Sequence, residues 1–596
     1  MHNELYELAK RNGYDSLESL AFIPRKQVTI IHIENDGRYR GITTIGQSSH
    51  SKASKPVPTC NLPGGTNVKI TPFCEKAHTV FPFDTHASPS ISKKREKFWQ
   101  YVKDFYSDLS VPIVARALKN FHKRIYDKRC KDLKRIKEDL GAKDQVVTFS
   151  IEQDNNLVIS ELPVFQRWWK KKFKDTVLQD ESNPIGFCVL SRNPNARIAN
   201  KHYMSVNLPQ AEHGSGFISS NAPCVQSYGY GDSSAYSGVG IEAAMACTIA
   251  LNEILKDPRH RFVLGTTTFV WWDTKDRDIT EHCADLFRTS NLRALLKIFM
   301  NDHRASDTRG ALNVMSQNKN FHLFSLSNNG RSVIINRQFT GNLQDVLLRI
   351  RNFFYEILPI MYPKIENPNT DLEKYDYRVP SLQNLVELGI GFQKKSERTR
   401  HRDKIVEEIT FSIISGAPIR YNLFQRIACN IEHQFKLKKP DETDYRFLRV
   451  LALAVAMMNR LHPHGDRMMN NGTFKPFDMG KILAIAEIVH KYCARGNSPE
   501  LLRDRYTKRV NNPPYFLKRI REQYNRYHKV LRKRGSYQLA MYAENMMQNI
   551  WAEDKNINPS LTTEEVVRFW QGYATQKRDF WPNFQKLQAE RKTNDS

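Results

Sequence analysis

The apolar residues change their period near Asp345. Before it, alternating runs bounded by Asp-Gly and Asn-Gly pairs predict β-hairpins. After it, apolar residues recur at helical spacing to the end and strand signals fade. A chain so written is expected to fold as α+β: a mixed α/β body with several β-hairpins over 1–345, a helical connection over 346–400, and an all-helical bundle over 401–596. In the body, residues 3–11 read as a short helix stopped by Asn12 and Gly13. Val28–Glu34 and Tyr39–Ile45 read as a hairpin around Asp36 and Gly37. The polar, Gly/Pro-rich stretch Gln47–Pro72 reads as an exposed loop. Ser92–Leu140 reads as helical with a break at Pro112. Val146–Ile151 with Leu157–Leu162 reads as a second hairpin, Phe262–Trp272 as a third β element, and Phe321–Leu326 with Ser332–Asn336 as a fourth. In the bundle, Phe447–Leu461, Met479–Cys493, Tyr515–Lys533, Tyr537–Trp551 and Thr563–Gln576 are candidate helices. No internal repeat is present.

The charge is uneven. With 90 Lys+Arg against 63 Asp+Glu the net charge is +27, which favours polyanionic partners. Lys93–Lys137 holds 15 basic residues against five acids, interleaved with Trp99, Tyr101, Phe105, Phe121 and Tyr126. Candidate phosphate-backbone residues there are Lys93, Lys94, Arg95, Lys119, Lys123, Arg124, Lys128 and Lys131, because Lys and Arg displace the counterions of nucleic acid. Arg495–Arg534 holds 13 basic residues against three acids; Lys518, Arg519, Arg526, Lys529 and Lys533 fall near one face of a helix. A solvated helix face is the alternative for both stretches; in Lys93–Lys137 the two readings are compatible and phosphate contact is favoured, and in Arg495–Arg534 they stand level. Arg167–Lys174 carries Trp168 and Trp169 among cations, which suits stacking on a single strand or a plain core position.

From His202 to Leu255 there is no Lys or Arg, where an even spread would place about eight. This window holds the glycine- and serine-rich run Ser215–Gly231, then Gly238-Val-Gly240 and an alanine-rich helix. A glycine-rich element without cations suggests a shaped contact surface, not a general phosphate-binding face. Gly238–Ala243 formally reads G-x-G-x-x-A, but no apolar strand precedes it, so a loop-to-helix junction is the better reading.

Other enzyme-like patterns are thin. Asp273 and Lys275 at a strand end, with Asp257 upstream, are compatible with a metal-dependent nuclease, although Asp257 before Pro258 reads as a helix stop. His462, His464 and Asp466 surround a proline with no further ligands, so no metal is assigned. Gly231–Ala235 misses the nucleophile elbow by its last glycine. The nine cysteines form no Cys-x-x-Cys pair and read as reduced thiols of a cytoplasmic chain. The longest apolar run, Val450–Met458, is far short of the ~20 residues of a membrane span, and Met1–Glu7 has no signal core. No cofactor is expected.

Several segments carry a family resemblance. Ser219–Gly229, with its Asn-Ala-Pro at 221–223 and Ser-Tyr-Gly at 227–229, and Ala243–Asn252 resemble the large subunit of the type I-C CRISPR surveillance complex, Cascade. The 321–337 hairpin, with Arg331 and Arg337, and Phe569–Lys577 are also similar to it. So is Thr71–Val80, although Lys76 replaces an amide there. The family's Pro-Val-Ser-Glu reads here as Gly238 through Glu242, a departure.

The resemblance implies a non-catalytic subunit at the 5′-handle end of a crRNA, working with backbone and crRNA-end subunits. Its N-terminal body would bind double-stranded target DNA and read the protospacer-adjacent motif, while guide pairing supplies the remaining selectivity. It would help open the duplex and recruit a separate helicase-nuclease. The C-terminal bundle would resemble the small subunit, which supports the displaced strand and which this family also makes by internal translation; Met468, Met469 and Met479 are candidate starts. Candidate motif-reading residues are Asn61, Asn67, Lys69 and Lys76 around the first glycine-rich loop, and Asn221, Gln226, Ser227 and Tyr228 in the second. Asn221 and Tyr228 also suit a structural turn. A metal-dependent nuclease using Asp273 and Lys275, or a generic RNA-binding protein, are the competing readings.

Overall fold

The computed structural model describes residues 1–25, 28–45, 55–59, 70–83, 88–108, 112–127, 130–141, 145–151, 158–218, 237–273, 321–330, 332–361, 382–391, 400–434, 440–461, 475–494, 512–551 and 559–594. The chain divides into two compact units, Met1–Asp257 with Leu326–Asn336, and Pro258–Ser325 with Arg337–Ser596. The fold is mixed α+β with a helical C-terminal region, as the change of period at Asp345 predicts.

The first unit opens with α1 (His2–Arg11), which buries Leu5, Tyr6 and Ala9 and ends ahead of Gly13 at φ +69°. Helix α2 (Leu17–Ala21) starts at Ser16, whose hydroxyl accepts the Ser19 N–H. Strand β1 (Phe22–Arg25) follows, then β2 (Val28–Ile33), β3 (Tyr39–Ile45), β4 (Lys55–Pro58) and β5 (Glu75–Lys76). β2 and β3 form the expected hairpin, turning at Gly37 with φ +88°. A Cβ on Gly37 would also lie 2.6 Å from the Phe121 amide, so glycine is required by both the turn and a neighbouring helix.

Helices α3 (Ala77–Val80), α4 (Pro89–Asp108), α5 (Pro112–Tyr126) and α6 (Asp132–Leu140) lead to β6 (Val146–Ile151). The break expected at Pro112 is present. β6 pairs parallel with β2, completing a sheet of order β3-β2-β6-β5. Phe98, Trp99, Phe121 and Phe149 stack edge and face beneath it, all essentially buried.

Of the second strand expected over Leu157–Leu162, the described residues Val158–Leu162 do not continue as a strand. Val158 makes one bridge with Ser150, and the chain then turns into a 3₁₀ segment, Ile159–Glu161. The Glu161 carboxylate accepts the Val158 N–H and pairs with Lys55 at 2.7 Å, while Pro163 starts α7 (Pro163–Phe173). These local bonds outcompete the β pattern. Short pairs follow: β7 (Ile185–Gly186) with β8 (Ala196–Arg197), and β9 (Ser205–Val206) with β10 (Ser215–Gly216). Helix α8 (Ile241–Lys256) is buried on most of its circumference by small residues, and Asp257 caps its C-terminus as expected.

The second unit is headed by β11 (Arg261–Leu264) and β12 (Thr267–Asp273), a hairpin where one β element was expected, because Gly265 at φ +55° reverses the chain. With β13 (Phe321–Asn328) and β14 (Val333–Gly341) they form a sheet of order β11-β12-β13-β14; the tip of the last hairpin counts with the first unit. Nine helices described here follow: α9 (Leu343–Met361), α10 (Leu382–Ile390), α11 (Arg400–Ser415), α12 (Tyr421–Gln434), α13 (Pro440–Leu461), α14 (Pro476–Cys493), α15 (Pro513–Lys533), α16 (Tyr537–Trp551) and α17 (Thr563–Asn594). The five candidate helices of the bundle are all present, and α17 continues 18 residues beyond its expected end.

Glu407 and Glu408 of α11 are buried. Glu407 accepts hydroxyls from Ser325 (2.5 Å) and Thr267 (3.2 Å); Glu408 accepts Arg337 (3.0 Å) and Arg420 (2.8 Å). Helices α14 and α17 cross backbone to backbone at Gly480 and Gly572. A Cβ on Gly480 would overlap the Phe569 carbonyl oxygen and lie 2.7 Å from the Tyr573 amide; one on Gly572 would overlap the Phe477 carbonyl.

Among the described residues no helix is long and apolar enough to cross a membrane, and the six described cysteines form no disulfide with one another. Gly480→Ala and Gly572→Ala are each expected to destabilise the second unit by about 1–3 kcal/mol or more, since backbone, not a flexible side chain, must move. Urea unfolding of the full chain would read this as a lower midpoint; an unchanged midpoint for both would contradict the crossing.

Candidate nucleic-acid interface

In the first unit the apolar stripe of α5 (Ala117, Leu118, Phe121, Ile125) turns inward. The helix period then forces Arg116, Lys119 and Lys123, at i, i+3 and i+7, onto the solvent side, where all three are exposed. Lys93 on α4 and Lys131 before α6 are exposed as well, and Lys94 is half-buried. None of these six has an ion-pair partner among the described residues. Two other candidates are engaged inside the fold. Arg95 donates to the carbonyls of His78 (2.8 Å) and Thr79 (3.2 Å) at the end of α3, and Arg124 pairs with buried Asp132 at 2.7 Å. Lys128 lies outside the described residues.

Behind this face, His122 stacks on Trp99 with centroids 4.4 Å apart. Burial first, then the charge of Lys103, pushes its pKa down from 6.5 to about 4, so the ring is neutral at physiological pH.

Of the motif-reading candidates, Lys76 is described. It is exposed on β5, the edge strand of its sheet, and its N–H donates to the Glu75 carboxylate, which also accepts the Thr71 N–H. Asn61, Asn67, Lys69, Asn221, Gln226, Ser227 and Tyr228 lie outside the described residues. The end of the glycine-rich window is described and is a loop-to-helix junction. Gly238 has φ +65°, its carbonyl accepts the Val189 N–H, and the Gly240 N–H donates to Cys188 Sγ at 3.1 Å. A Cβ on Gly240 would meet Ala196 and Cys188 at 3.3–3.4 Å, so protein atoms line the place a dinucleotide phosphate would need.

The two tryptophans of α7 divide differently from the single-strand reading. Trp169 is fully buried and donates to the Ala21 carbonyl at 2.8 Å; Trp168 is half-buried, packed on Phe105 and Phe165, with its N–H on Asp108. Both serve the aromatic core of the first unit.

In the second unit, α15 turns Phe516, Leu517, Ile520, Tyr524 and Leu531 inward. Lys518, Arg519, Arg526, Lys529 and Lys533 are accordingly all exposed. Arg519 is held by the Tyr515 hydroxyl at 3.2 Å and by Glu522 at 3.0 Å; the other four have no ion-pair partner among the described residues. The candidate set omitted Arg116 and Arg521. Arg116 was legible from its spacing to Lys119. Arg521 packs on Trp551 of α16 with 4.9 Å to the ring centroid, a pairing that no sequence period reveals.

Asp273 closes β12 and is buried, while Lys275 lies outside the described residues, as do His462, His464 and Asp466. Among the described residues no group of three His, Cys, Asp or Glu is placed to hold a metal.

Exposed lysine rows on helices of a chain with net charge +27 suit a polyanionic partner. Residues 3–581 match the model of the family described as CRISPR-associated protein (Cas_Csd1), so nearly the whole chain belongs to that family, which is of the Cascade type. No curated protein matches the chain.

Replacing Lys93, Lys119 and Lys123 together by Ala is expected to weaken duplex binding and reduce the salt slope by about 0.9 per lost phosphate contact, checked by anisotropy over a salt series. Arg124→Ala should instead lower stability, since it leaves Asp132 buried without its cation. Because the folded pKa of His122 is depressed, the unfolded chain binds the extra proton as pH falls from 6.5 toward 4. Stability of the native chain should decline across that window, and His122→Gln should flatten the decline in urea titrations.

Proposed function

We propose that this chain is the large subunit of an RNA-guided, DNA-binding antiviral complex of the type I-C kind, acting in the cytoplasm without cutting DNA itself. The observation that carries the reading is the family match across residues 3–581. The exposed lysine rows of α4–α5 and of α15 support it, because sequence-independent affinity for a phosphate backbone needs cations not spent on the fold. In this reading, 1–345 meets double-stranded target DNA beside the guide-paired region and reads the adjacent motif. Its motif-reading residues come from Asn61, Asn67, Lys69, Lys76, Asn221, Gln226, Ser227 and Tyr228. The crRNA and the backbone and crRNA-end subunits hold it in place. It helps open the duplex and recruits a helicase-nuclease, 346–400 connects, and 401–596 lies along the displaced strand as a small subunit would.

The final helices of that bundle, α14 to α17, are proposed to be made separately by internal initiation. A product begun at Met479 would lack Phe477, whose carbonyl abuts Gly572, and the first turn of α14. Met468 or Met469 would keep that helix whole and is the proposed start. N-terminal sequencing of a short co-purifying product should read from one of these two; absence of any such product overturns this part.

The main test is co-expression with guide RNA and the neighbouring subunits, followed by gel shift on targets with and without an adjacent motif. Motif-dependent binding that Lys76→Ala weakens is the expected result. Binding indifferent to flanking sequence would reject motif reading, and Mg²⁺-dependent plasmid cleavage lost in Asp273→Ala would favour the nuclease instead.

A further inference from the structure

The solvent side of α15 is more than a row of charges. Pro514, Leu517, Lys518, Arg521, Glu522 and Asn525 line a groove of about 340 Å³ that Trp551, the last residue of α16, closes from the side. That volume is at the small end of the ~300–1,000 Å³ typical of ligand sites. Leu517 is buried and forms an apolar floor. The Arg521 guanidinium lies over the Trp551 ring at 4.9 Å from its centroid, so a flat cation backed by an aromatic ring borders the groove. The exposed Asn525 offers an amide with both donor and acceptor, and Glu522 is drawn toward Arg519 at 3.0 Å.

The groove also lies on a continuing line of cations. Residues 514, 518, 521, 525, 529 and 532 follow one another at steps of three or four, so they share one helix face. Lys518, Arg521, Lys529 and Arg532 on that face are all exposed. Lys518 and Lys529 stand about 17 Å apart at 1.5 Å per residue, one at the groove and one beyond it. An apolar floor, a π-cation wall, one amide and flanking ammonium groups are the parts that bind an unstacked base together with its phosphates.

We propose that the α15–α16 groove is a nucleobase pocket for single-stranded nucleic acid, in which one base stacks against the Arg521–Trp551 pair over Leu517, Asn525 meets its edge, Lys518 holds the adjacent phosphate, and Lys529 meets one further along the strand. The proposal rests on the reading of α15 as a nucleic-acid face and adds to it a base-dependent component.

The test uses the full chain and fluorescein-labelled oligothymidylate, oligouridylate and an abasic strand of equal length, in anisotropy titrations over a salt series. The native chain should bind the strands with bases more tightly than the abasic one. Trp551→Ala should weaken binding to the base-bearing strands by about 5- to 150-fold, the range of one base–aromatic stack, leave abasic binding unchanged, and leave the salt slope unchanged. Trp551→Phe should restore most of the loss, which separates stacking from a folding defect, and Lys518→Ala should lower the salt slope on every strand. Comparing the thymidylate and uridylate arms assigns the source as DNA or RNA. If the native chain binds no single strand, the reading of α15 as a nucleic-acid face fails. If it binds, but abasic and base-bearing strands bind alike or respond alike to Trp551→Ala, that face stands and the pocket is wrong.

Discussion

Two glycines facing each other, Gly480 on α14 and Gly572 on α17, let helix backbones meet without side chains between them. The close approach has an electrostatic consequence two turns along. Glu487, seven residues after Gly480, is fully buried, where the Tyr573 hydroxyl donates to it at 2.9 Å and Lys491 and Lys577 stand at 3.6 and 3.7 Å. A buried carboxylate without such partners would cost several kcal/mol, so the crossing fixes register as well as distance. With α14 held this way, α15 and α16 pack their apolar stripes against it. Cys493 Sγ meets the Tyr527 carbonyl at 3.3 Å, and His528 of α15 meets the Ala540 carbonyl of α16 at 3.1 Å. The outward aim of the α15 cations is thus set by the helix crossing beneath them.

Several arginines are spent on contacts within the fold. Arg95 cups the carbonyls at the end of α3, Arg124 pairs with Asp132, and Arg337 and Arg420 share Glu408. A planar guanidinium satisfies several fixed acceptors at once, whereas an ammonium on a flexible stem remains hydrated and mobile. The consequence for function is a sorting of the basic residues. Lys93, Lys119, Lys123 and Lys131 in the first unit, and Lys518, Lys529 and Lys533 in the second, are exposed and have no ion-pair partner among the described residues, so they are available to a polyanion. Total charge alone does not separate these two populations.

Much of this architecture was legible in the amino-acid order, and the reasons differ by element. Hairpins β2–β3 and β13–β14 follow from alternation around a glycine turn, and α13 to α17 follow from long apolar periodicity, both local codes. Val158–Leu162 was misread as a strand because the Glu161 carboxylate and Pro163 act on the backbone more strongly than the residue pattern does. Trp168 and Trp169 could not be assigned from spacing, since cations beside aromatics look alike on a core helix and on a binding face. Phe105 and Phe165 against Trp168, and Tyr101 and Phe173 against Trp169, decided it.

The sequence by itself determined the change from hairpins to helices, the basic segments, and the motifs by which the chain belongs to its CRISPR-associated family, because periodicity, charge and short motifs are properties of neighbours along the chain. Tertiary structure alone decided which cations are consumed by the fold, that Arg521 meets Trp551 from another helix, and that Gly480 and Gly572 face each other across 91 intervening positions. Those outcomes depend on residues distant in sequence and on the desolvation of their charges, which no local pattern encodes.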